Sequence, residues 1–243
     1  GPVLLQMLAL LEGYGISAMD PVGPDFVHLV IEAAKLAFAD REAFYGDPNF
    51  VDVPMKMLLS KPYNDARRKL IDMRAASMDL RPGAIEGHGG PVDYAAHIAA
   101  GLAGLGGAGV GEPTVGPQGQ VAGDTCHIDV IDKHGNMIAA MPSGGWLQSS
   151  PVIPELGFCL NSRAQMFWLE AGRPATLEPG KRPRTTLSPS MALKDGKPYM
   201  VFGTPGGDQQ DQWQTNFFLR HVHFGMNLQE AIDAPSWHID HFP

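Results

Sequence analysis

The 243-residue sequence has few cysteines, few positive charges and no long apolar run. Its two cysteines, Cys126 and Cys159, are too few for a disulfide framework, and we interpret both as buried thiols because they lie in strand-like runs. With 18 Lys and Arg against 26 Asp and Glu, the formal net charge is −8. This balance argues against a nucleic-acid or anionic-membrane partner, since both need clustered cations. The apolar runs are also too short for a membrane span.

What is present is typical of a globular protein, with 44% hydrophobic and 18% charged residues. The length suffices for a sizeable core, in one large domain or two small ones. The chain does not begin with Met and opens in a helix-like run, so both ends read as cut from a longer protein. The sequence therefore leaves the compartment open between cytoplasm and periplasm. It also leaves the oligomeric state open, a homo-oligomer included.

Residues 1–80 are predicted to be helical. The apolar positions of a leucine-rich run at the start and of a longer run after it follow the helical period. Asp25 is the expected cap of the long helix, which Gly46 ends. Ser60 is the expected cap of a third helix, with Arg67 on its exposed side. Helical packing explains this segment, and no chemistry is predicted in it.

The segment 81–124 is rich in glycine and is predicted to be a linker. Thirteen of the 29 glycines fall in it. Glycine at this density raises chain entropy and disfavours both helix and strand. The segment holds no Gly-Lys-Ser/Thr phosphate loop and no dinucleotide-binding glycine motif that clearly joins a strand to a helix.

Residues 125–243 are predicted to form strands first and helices after them. Asp195-Gly196 is a strong hairpin signal between two β-like runs, and Asn227 with Glu230 forms a capping box. The expected elements are hairpins 126–132/137–141 and 190–193/199–203, a short apolar run 157–161, a helix 209–224 and a helix from 227 to about 233. Hairpins followed by helices favour layered α/β packing.

The junction Gly123-Asp124-Thr125-Cys126-His127 carries the main candidate for chemistry. If the Asp124–Thr125 bond were cut, the new α-amine of Thr125 could act as general base for its own hydroxyl. The alternative is an ordinary strand-initiating threonine. Cys126 would point to the opposite face of the strand, so we interpret it as structural.

Further motifs lie in a fixed order around this junction. They are Ala39-Asp40-Arg41 with Gly46-Asp47-Pro48, then Asp-Lys-His-Gly-Asn at 132–136, Lys-Arg-Pro-Arg-Thr-Thr-Leu-Ser-Pro-Ser at 181–190 and Gly-Thr-Pro-Gly-Gly-Asp at 203–208. In this order and spacing they resemble the gamma-glutamyltransferase family of N-terminal-nucleophile hydrolases. The resemblance covers nearly the whole chain.

The resemblance implies an α/β fold, the four-layer αββα sandwich of that superfamily, present here as a fragment. Residues 1–80 would be the last part of the large subunit, 81–124 the linker ending at the cleavage site, and 125–243 the truncated small subunit. The precursor would cut itself, and the two parts would stay partners. Neither a metal nor an organic cofactor is expected.

The resemblance also assigns roles position by position. Thr125 matches the nucleophile, freed by cleavage after Asp124. Ser143 stands where the family has a threonine that interacts with the nucleophile, and it keeps the hydroxyl. Gly206 and Gly207 match the glycines whose N–H groups form the oxyanion hole, which suits glycines preceding a helix. Loop or turn roles are the alternatives for Ser143 and for the two glycines.

Departures from the family pattern fall on substrate recognition. The residues that hold the α-ammonium of a γ-glutamyl group are replaced by Gly145, Arg163 and Met166, whereas the α-carboxylate-binding serine pair is kept as Thr185-Thr186. Arg163 suits a carboxylate, although a structural role is equally open. We therefore expect a small-molecule amide whose acyl group bears a carboxylate and no ammonium, glutaryl-like or oxamate-like. Hydrolysis is favoured over transfer.

Two other functions remain open. One is a non-catalytic relative that binds without processing, and the other is a biosynthetic enzyme with altered acyl-bond chemistry. The histidines near the end are interpreted as packed or surface residues rather than metal ligands, because their spacing is wrong for a site. These histidines are His221, His223, His238 and His241. The polar run Gln209–Gln212 either reaches the site or caps its helix, and Trp213 either lines a pocket or packs in a core.

Overall fold

The structure is a computed structural model that describes residues 1–89, 125–144 and 151–239. Most of the predicted linker therefore lies outside the described residues, as do Asp124, Gly145 and His241. The division into 1–80, 81–124 and 125–243 stays a prediction. Within the described ranges, no helix combines the length and apolarity needed to cross a membrane.

The predicted helices are confirmed with small changes at their ends. The helices of the described ranges are α1 (Pro2–Leu11), α2 (Pro24–Phe44), α3 (Met55–Leu58), α4 (Lys61–Arg68), α5 (Gln209–Phe224) and α6 (Leu228–Asp233), with 3₁₀ turns at Ile16–Ala18 and Arg163–Met166. The one-turn helix α3 is not among the predicted helices. Helix α1 packs on α2, α4 and α5. The main core lies between α1, α2 and α5, around Phe26, Leu29 and Leu219. Burial of each large apolar side chain there contributes about 1.5–3 kcal/mol.

Two of the predicted helix caps differ in the structure. Helix α2 starts from Gly23 as N-cap, and Asp25 lies in its first turn instead. The reason is Pro24, whose fixed φ suits the first helical position. Ser60 is the N-cap of α4 as predicted, but its hydroxyl donates to Met57 Sδ at 3.8 Å rather than capping the helix.

The prediction that Arg67 lies on an exposed face is wrong. Arg67 is buried, and its guanidinium donates to Asp40 Oδ1 at 3.0 Å. The other donors to Asp40 are Gln6 at 2.6 Å, Tyr63 at 3.0 Å and the Gly83 N–H at 2.7 Å. Burial raises the pKa of Asp40 against the opposing effect of Arg67. A buried carboxylate on α2 thus recruits the arginine inward, a tertiary effect that helical periodicity does not encode.

The strands form antiparallel pairs. They are β1 (Ile128–Ile131), β2 (Met137–Ala140), β3 (Val152–Ile153), β4 (Phe158–Cys159), β5 (Ser190–Lys194) and β6 (Lys197–Phe202), paired β1–β2, β3–β4 and β5–β6. Both predicted hairpins are confirmed. At the tip of β5–β6, Asp195 and Gly196 have φ of 52° and 73°, the positive values that a two-residue hairpin turn requires. The β1–β2 hairpin packs beside β5–β6, where Gly135 approaches Pro198.

The last helices end and begin as their sequence signals predict. Gly225 follows α5 with φ 69°, the left-handed cap that glycine supplies without strain. The capping box at the start of α6 is complete, because Asn227 accepts from the Glu230 N–H at 3.0 Å while Glu230 accepts from the Asn227 N–H at 2.8 Å.

Gly46, just after α2, leads to a prediction about stability. A methyl group there would lie 2.8 Å from Val51 Cγ2 and closer still to the Pro174 carbonyl oxygen. We expect Gly46→Ala to destabilise the full-length protein by about 1–3 kcal/mol, because backbone atoms of another segment must move. Thermal or denaturant unfolding measures this loss. Gly15→Ala is the matched control, because Gly15 is exposed with negative φ and open space around it; equal losses in the two variants would contradict the prediction.

Candidate active site

Thr125 and Ser143 meet at the open end of the β1–β2 hairpin. Thr125 precedes β1 and Ser143 follows β2, and the antiparallel register extends to a Cys126 N–H bond with the Pro142 carbonyl at 3.2 Å. The Thr125 hydroxyl donates to Ser143 Oγ at 2.9 Å. The structure thus brings together the predicted nucleophile and the hydroxyl expected to support it.

Arg163 joins this pair from the 3₁₀ turn that it begins. Its Nη2 donates to Ser143 Oγ at 3.4 Å, and its Nη1 donates to Thr186 Oγ1 at 3.0 Å. The side chain is buried, with 8% of the residue exposed. Four of the predicted site residues therefore form one hydrogen-bonded cluster, which we call the hydroxyl cluster: Thr125, Ser143, Arg163 and Thr186. Its guanidinium places a positive charge one hydroxyl away from the predicted nucleophile.

Thr185 does not belong to the hydroxyl cluster. It is exposed, and its hydroxyl accepts from the Leu187 N–H at 3.1 Å, whereas the adjacent Thr186 is buried. Neighbouring side chains of an extended segment point to opposite sides, so the two threonines separate. Only one hydroxyl of the predicted pair therefore faces Arg163.

Gly206 and Gly207 form the tight turn that leads into α5. Gly206 has φ 129°, in the region that favours glycine, and a side chain there would approach Trp213 Cζ3 at 3.1 Å. The Gly207 N–H donates to Gln209 Oε1 at 3.0 Å, so a predicted oxyanion donor already holds an amide oxygen. Gln210 donates its side-chain N–H to the Gly206 carbonyl. Gln209 and Gln210 therefore both contact the glycines that are predicted to form the oxyanion hole.

The segment 184–188 connects the glycine turn with the hydroxyl cluster. The Ser188 N–H donates to Gln210 Oε1 at 3.1 Å, and Gln210 in turn holds Gly206. Two residues earlier, Thr186 accepts from Arg163. The predicted nucleophile and the predicted oxyanion donors are thus tied to the same short stretch of chain.

Asp208 follows the glycine turn and lies in a cluster of four charged groups. Arg41 donates to its two carboxylate oxygens at 2.7 and 2.9 Å, and Arg184 does so at 3.1 and 3.3 Å. Glu42 lies 2.6 Å from Arg41 and 3.8 Å from Arg184, and it accepts from Trp168 Nε1 at 3.2 Å. Two positive charges are therefore balanced by two negative charges.

The electrostatics of Asp208 follow from these partners. Burial acts to raise its pKa, but the charges of Arg184 and Arg41 outweigh burial and hold the pKa well below its ordinary value. Because the folded-state pKa is the lower one, the cluster contributes its full stability above the ordinary carboxyl pKa and loses it only in strong acid.

The remaining candidates have other surroundings. Cys126 is exposed, so its interpretation as a buried thiol is wrong; it lies at the edge of the hairpin, where its backbone rather than its side chain is held. Met166 is buried. His221 is stacked on Tyr199, and its ring nitrogen lies 2.7 Å from the phenol oxygen. Across the three described ranges, no group of three or more His, Cys, Asp or Glu side chains is placed to hold a metal ion.

A cleft of about 620 Å³ lies elsewhere, lined by the loop between α2 and α3. Its lining falls within residues 45–55 and includes none of the predicted site residues. We therefore do not place the reaction there.

Comparison with known proteins identifies the family of this chain. The sequence matches the Gamma-glutamyltranspeptidase family over residues 1–243. This chain belongs to the gamma-glutamyltranspeptidase family. Its resemblance to the family, first seen in five short motifs, thus extends over the whole chain.

Three similar proteins show the range of the family around this chain. The acylase ACY 1 proenzyme of Pseudomonas sp. (strain SE83) is 34% identical over 97% of this chain and 36% of its own length. The oxamate amidohydrolase proenzyme of Klebsiella pneumoniae is 32% identical over 98% of this chain and 38% of its own length. The solved structure of LmbA2991HD is 51% identical with a TM-score of 0.78, over 100% of this chain and 40% of that chain.

These comparisons confirm the predicted fold class. The chain is a mixed α/β fragment of the gamma-glutamyltranspeptidase fold, of the N-terminal-nucleophile hydrolase type. It spans about two fifths of the length of the relatives it matches. The two curated relatives are named as proenzymes, one an acylase and the other an amidohydrolase. These names support an enzyme of this general class.

The charged cluster around Asp208 is the part of the site that sequence reasoning missed. In the sequence, Asp208 and Arg184 stand out only as positions within the 203–208 and 181–190 motifs. Two features of the sequence point to this cluster. One is Arg184, a charged residue within the 181–190 motif, and the other is Asp208, an acidic residue directly after the paired glycines. Their partner Arg41 lies 167 positions before Asp208, a distance that local patterns do not bridge.

Proposed function

We propose that the full-length protein is a self-processing amidohydrolase that uses Thr125 as its N-terminal nucleophile. The observation that carries this proposal is the 2.9 Å hydrogen bond from the Thr125 hydroxyl to Ser143, inside the hydroxyl cluster. Membership of a family with acylase and amidohydrolase proenzymes supports the reaction class. Cleavage of the Asp124–Thr125 bond frees the α-amine that the mechanism needs.

In the proposed reaction, Thr125 Oγ1 attacks the carbonyl carbon of the amide while the α-amine of Thr125 takes the hydroxyl proton. The carbonyl oxygen becomes an oxyanion held by the N–H groups of Gly206 and Gly207. The C–N bond then breaks, the leaving amine receives the proton, and an ester to Thr125 remains. Water attacks this ester by the same route, releasing the acid and restoring the hydroxyl.

The hydrogen bonding of the Gly206-Gly207 turn supports its proposed role as the oxyanion hole. The Gly207 N–H already binds an amide oxygen, that of Gln209, at 3.0 Å. A donor that binds one carbonyl-type oxygen suits another, provided that the Gln209 side chain moves aside when the substrate arrives. Neither a metal nor an organic cofactor enters the proposed steps.

We further propose that the substrate is a small-molecule amide whose acyl group carries a carboxylate and lacks an ammonium. Arg163 provides a fixed guanidinium beside the nucleophile, and a guanidinium recognises carboxylates in a bidentate manner. The buried thioether of Met166 cannot bind an ammonium. One relative is named as an oxamate amidohydrolase, and oxamate is an amide of this kind. The acyl group is thus glutaryl- or oxamate-like rather than an ordinary γ-glutamyl group, and hydrolysis is preferred to transfer.

The proposed assembly follows from the same scheme. After cleavage, residues 125–243 would belong to the small subunit and the preceding residues to the large subunit, each the partner of the other. Arg182 of one part donates to Asp47 of the other at 2.7 Å, which supports a lasting association. A homo-oligomer is compatible with this arrangement.

The test of specificity uses paired substrates on the full-length, processed enzyme. A glutaryl anilide and a butyryl anilide differ in the terminal carboxylate that Arg163 is proposed to bind. We expect the wild type to prefer the glutaryl compound by about 10–100-fold in kcat/KM, the value of a charge-assisted hydrogen bond. Arg163→Met should abolish this preference, and Arg163→Lys should keep part of it.

The ratio of the two substrates separates recognition from other roles of Arg163. A loss of Ser143 positioning lowers both rates equally and leaves the ratio unchanged. A wild-type preference that persists in Arg163→Met would therefore contradict carboxylate recognition by this residue.

A second candidate function is binding without catalysis. It is favoured by the observation that Gln209 occupies the Gly207 N–H, the predicted oxyanion donor. A non-catalytic relative would stay as one chain, so self-cleavage discriminates the two functions. A biosynthetic enzyme with altered acyl-bond chemistry would still cleave itself but would not hydrolyse the paired anilides.

A further inference from the structure

The carboxylate of Asp208 has an unusual use. Asp208 is the N-cap residue of α5, a place where aspartate ordinarily accepts from first-turn N–H groups. Within the described part of the chain its two oxygens instead accept four hydrogen bonds from Arg41 and Arg184, at 2.7–3.3 Å. An aspartate that only started the helix would not need two arginines.

We call Asp208 and its two partners, Arg41 and Arg184, the Asp208 clamp. Its position beside the glycine turn determines which part of the site it can orient. The backbone of Asp208 continues directly from the Gly206-Gly207 turn, and Gly206 holds a φ of 129° that neighbouring structure must maintain. The other side of the turn is held by Gln210, which donates to the Gly206 carbonyl. Fixing the Asp208 carboxylate therefore fixes the direction in which the two glycine N–H groups point.

The two arginines anchor the turn to different parts of the molecule. Arg41 lies on α2, before the predicted cleavage point, and is held by Glu42 at 2.6 Å. Arg184 lies two residues before Thr186, a member of the hydroxyl cluster. The clamp thus relates the glycine turn both to the helical part and to the nucleophile's surroundings, and cutting the chain before Thr125 leaves it intact.

We propose that Asp208, gripped by Arg41 and Arg184, is a positioning residue that aims the Gly206 and Gly207 N–H groups at the oxyanion. The inference rests on the proposed function, because it assigns the oxyanion to these glycines. It adds that the helical part of the chain, through Arg41, contributes to the geometry of the catalytic turn.

The test compares two arginines of the same motif in the full-length, processed enzyme. Arg184→Met removes one arm of the clamp and leaves the bidentate Arg41–Asp208 pair, so the protein is expected to fold. Arg182→Met is the matched control, because Arg182 makes a similar pair with Asp47 but does not contact the residue after the glycines. The readouts are kcat, KM and the unfolding temperature of each variant, and the rate of self-cleavage of each precursor.

We expect Arg184→Met to lower kcat about tenfold with KM changed less than about twofold, since a misaimed donor weakens only transition-state binding. Self-cleavage should slow by a similar factor. Arg182→Met should leave kcat unchanged, whatever it does to the unfolding temperature. Arg184→Lys should recover part of kcat, because it returns the charge without the bidentate geometry.

Each outcome has one meaning. Equal kcat values for Arg184→Met and Arg182→Met in an active wild-type background would overturn the positioning role and leave the proposed function standing. A wild type that neither cleaves itself nor hydrolyses amides would overturn both. Asp208→Asn extends the test. Because it removes the charge that both arginines hold, the folded fraction of this variant should have a kcat at least as low as that of Arg184→Met.

Discussion

Replacing Thr125 with alanine is expected to abolish amide hydrolysis and self-cleavage together. The hydroxyl that donates to Ser143 at 2.9 Å is the only group that the mechanism uses to form the ester, so nothing takes over its role. Removing a catalytic nucleophile costs about a thousandfold to a millionfold in kcat. The measurement is hydrolysis of the glutaryl anilide by full-length protein, with self-cleavage followed on denaturing gels.

Two variants serve as controls for Thr125→Ala. Thr125→Ser keeps a hydroxyl at the same place and should keep measurable cleavage and turnover. Cys126→Ala removes the exposed neighbouring thiol and should leave both reactions unchanged. If Thr125→Ala still hydrolysed amides while Cys126→Ala did not, the nucleophile would be the cysteine and the assignment of Thr125 would be wrong.

Gly206→Ala is expected to have the second largest effect. A side chain at φ 129° is strained, and the added carbon would lie 3.1 Å from the Trp213 ring, so the turn that presents the two N–H groups must shift. Loss of one oxyanion donor costs about a hundredfold or more in kcat. If the Gly206→Ala precursor no longer matures, kcat cannot be measured, and the rate of self-cleavage is measured instead. It should fall by a similar factor, because self-cleavage and hydrolysis both pass through an oxyanion.

Gly225→Ala provides the matched control for backbone strain. Gly225 also has positive φ, lies at the other end of the same helix α5, and has open space around it. Alanine there should cost about 1 kcal/mol of stability with an unchanged kcat. If both glycine variants lost stability equally and neither lost rate, the glycine turn would have no part in catalysis.

The parts of the fold that the sequence predicted are those determined locally. Asp195-Gly196 identified its hairpin because few residue pairs adopt two successive positive φ values. Gly225 and the Asn227–Glu230 box identified the boundaries of α5 and α6 for the same kind of reason, since a left-handed cap and reciprocal hydrogen bonds lie within a few residues.

The wrong predictions involve residues whose environment comes from distant segments. Arg67 carries the polarity of a surface residue, but Asp40 on another helix draws it into the interior. Cys126 lies in an apolar-looking run and is nevertheless exposed. Local pattern gives the type of an element, whereas burial depends on what packs against it.

The candidate site divides in the same way. Motif order pointed to Thr125, Ser143 and the glycine turn, and the structure joins Thr125 to Ser143 directly. It could not show that Thr186 faces Arg163 while Thr185 does not, since this depends on how the segment lies on its neighbours. The Asp208 clamp could not be predicted from the motifs either, because its three members, Arg41, Arg184 and Asp208, come from three separate segments of the chain.

Intact mass and N-terminal sequencing of the full-length wild-type protein test the central claim most directly. We predict two fragments, the smaller beginning Thr125-Cys126-His127, and a single uncut chain for Thr125→Ala. This result would establish the free α-amine on which the mechanism depends. A wild-type chain that stays whole after long incubation would contradict the account and favour the non-catalytic function.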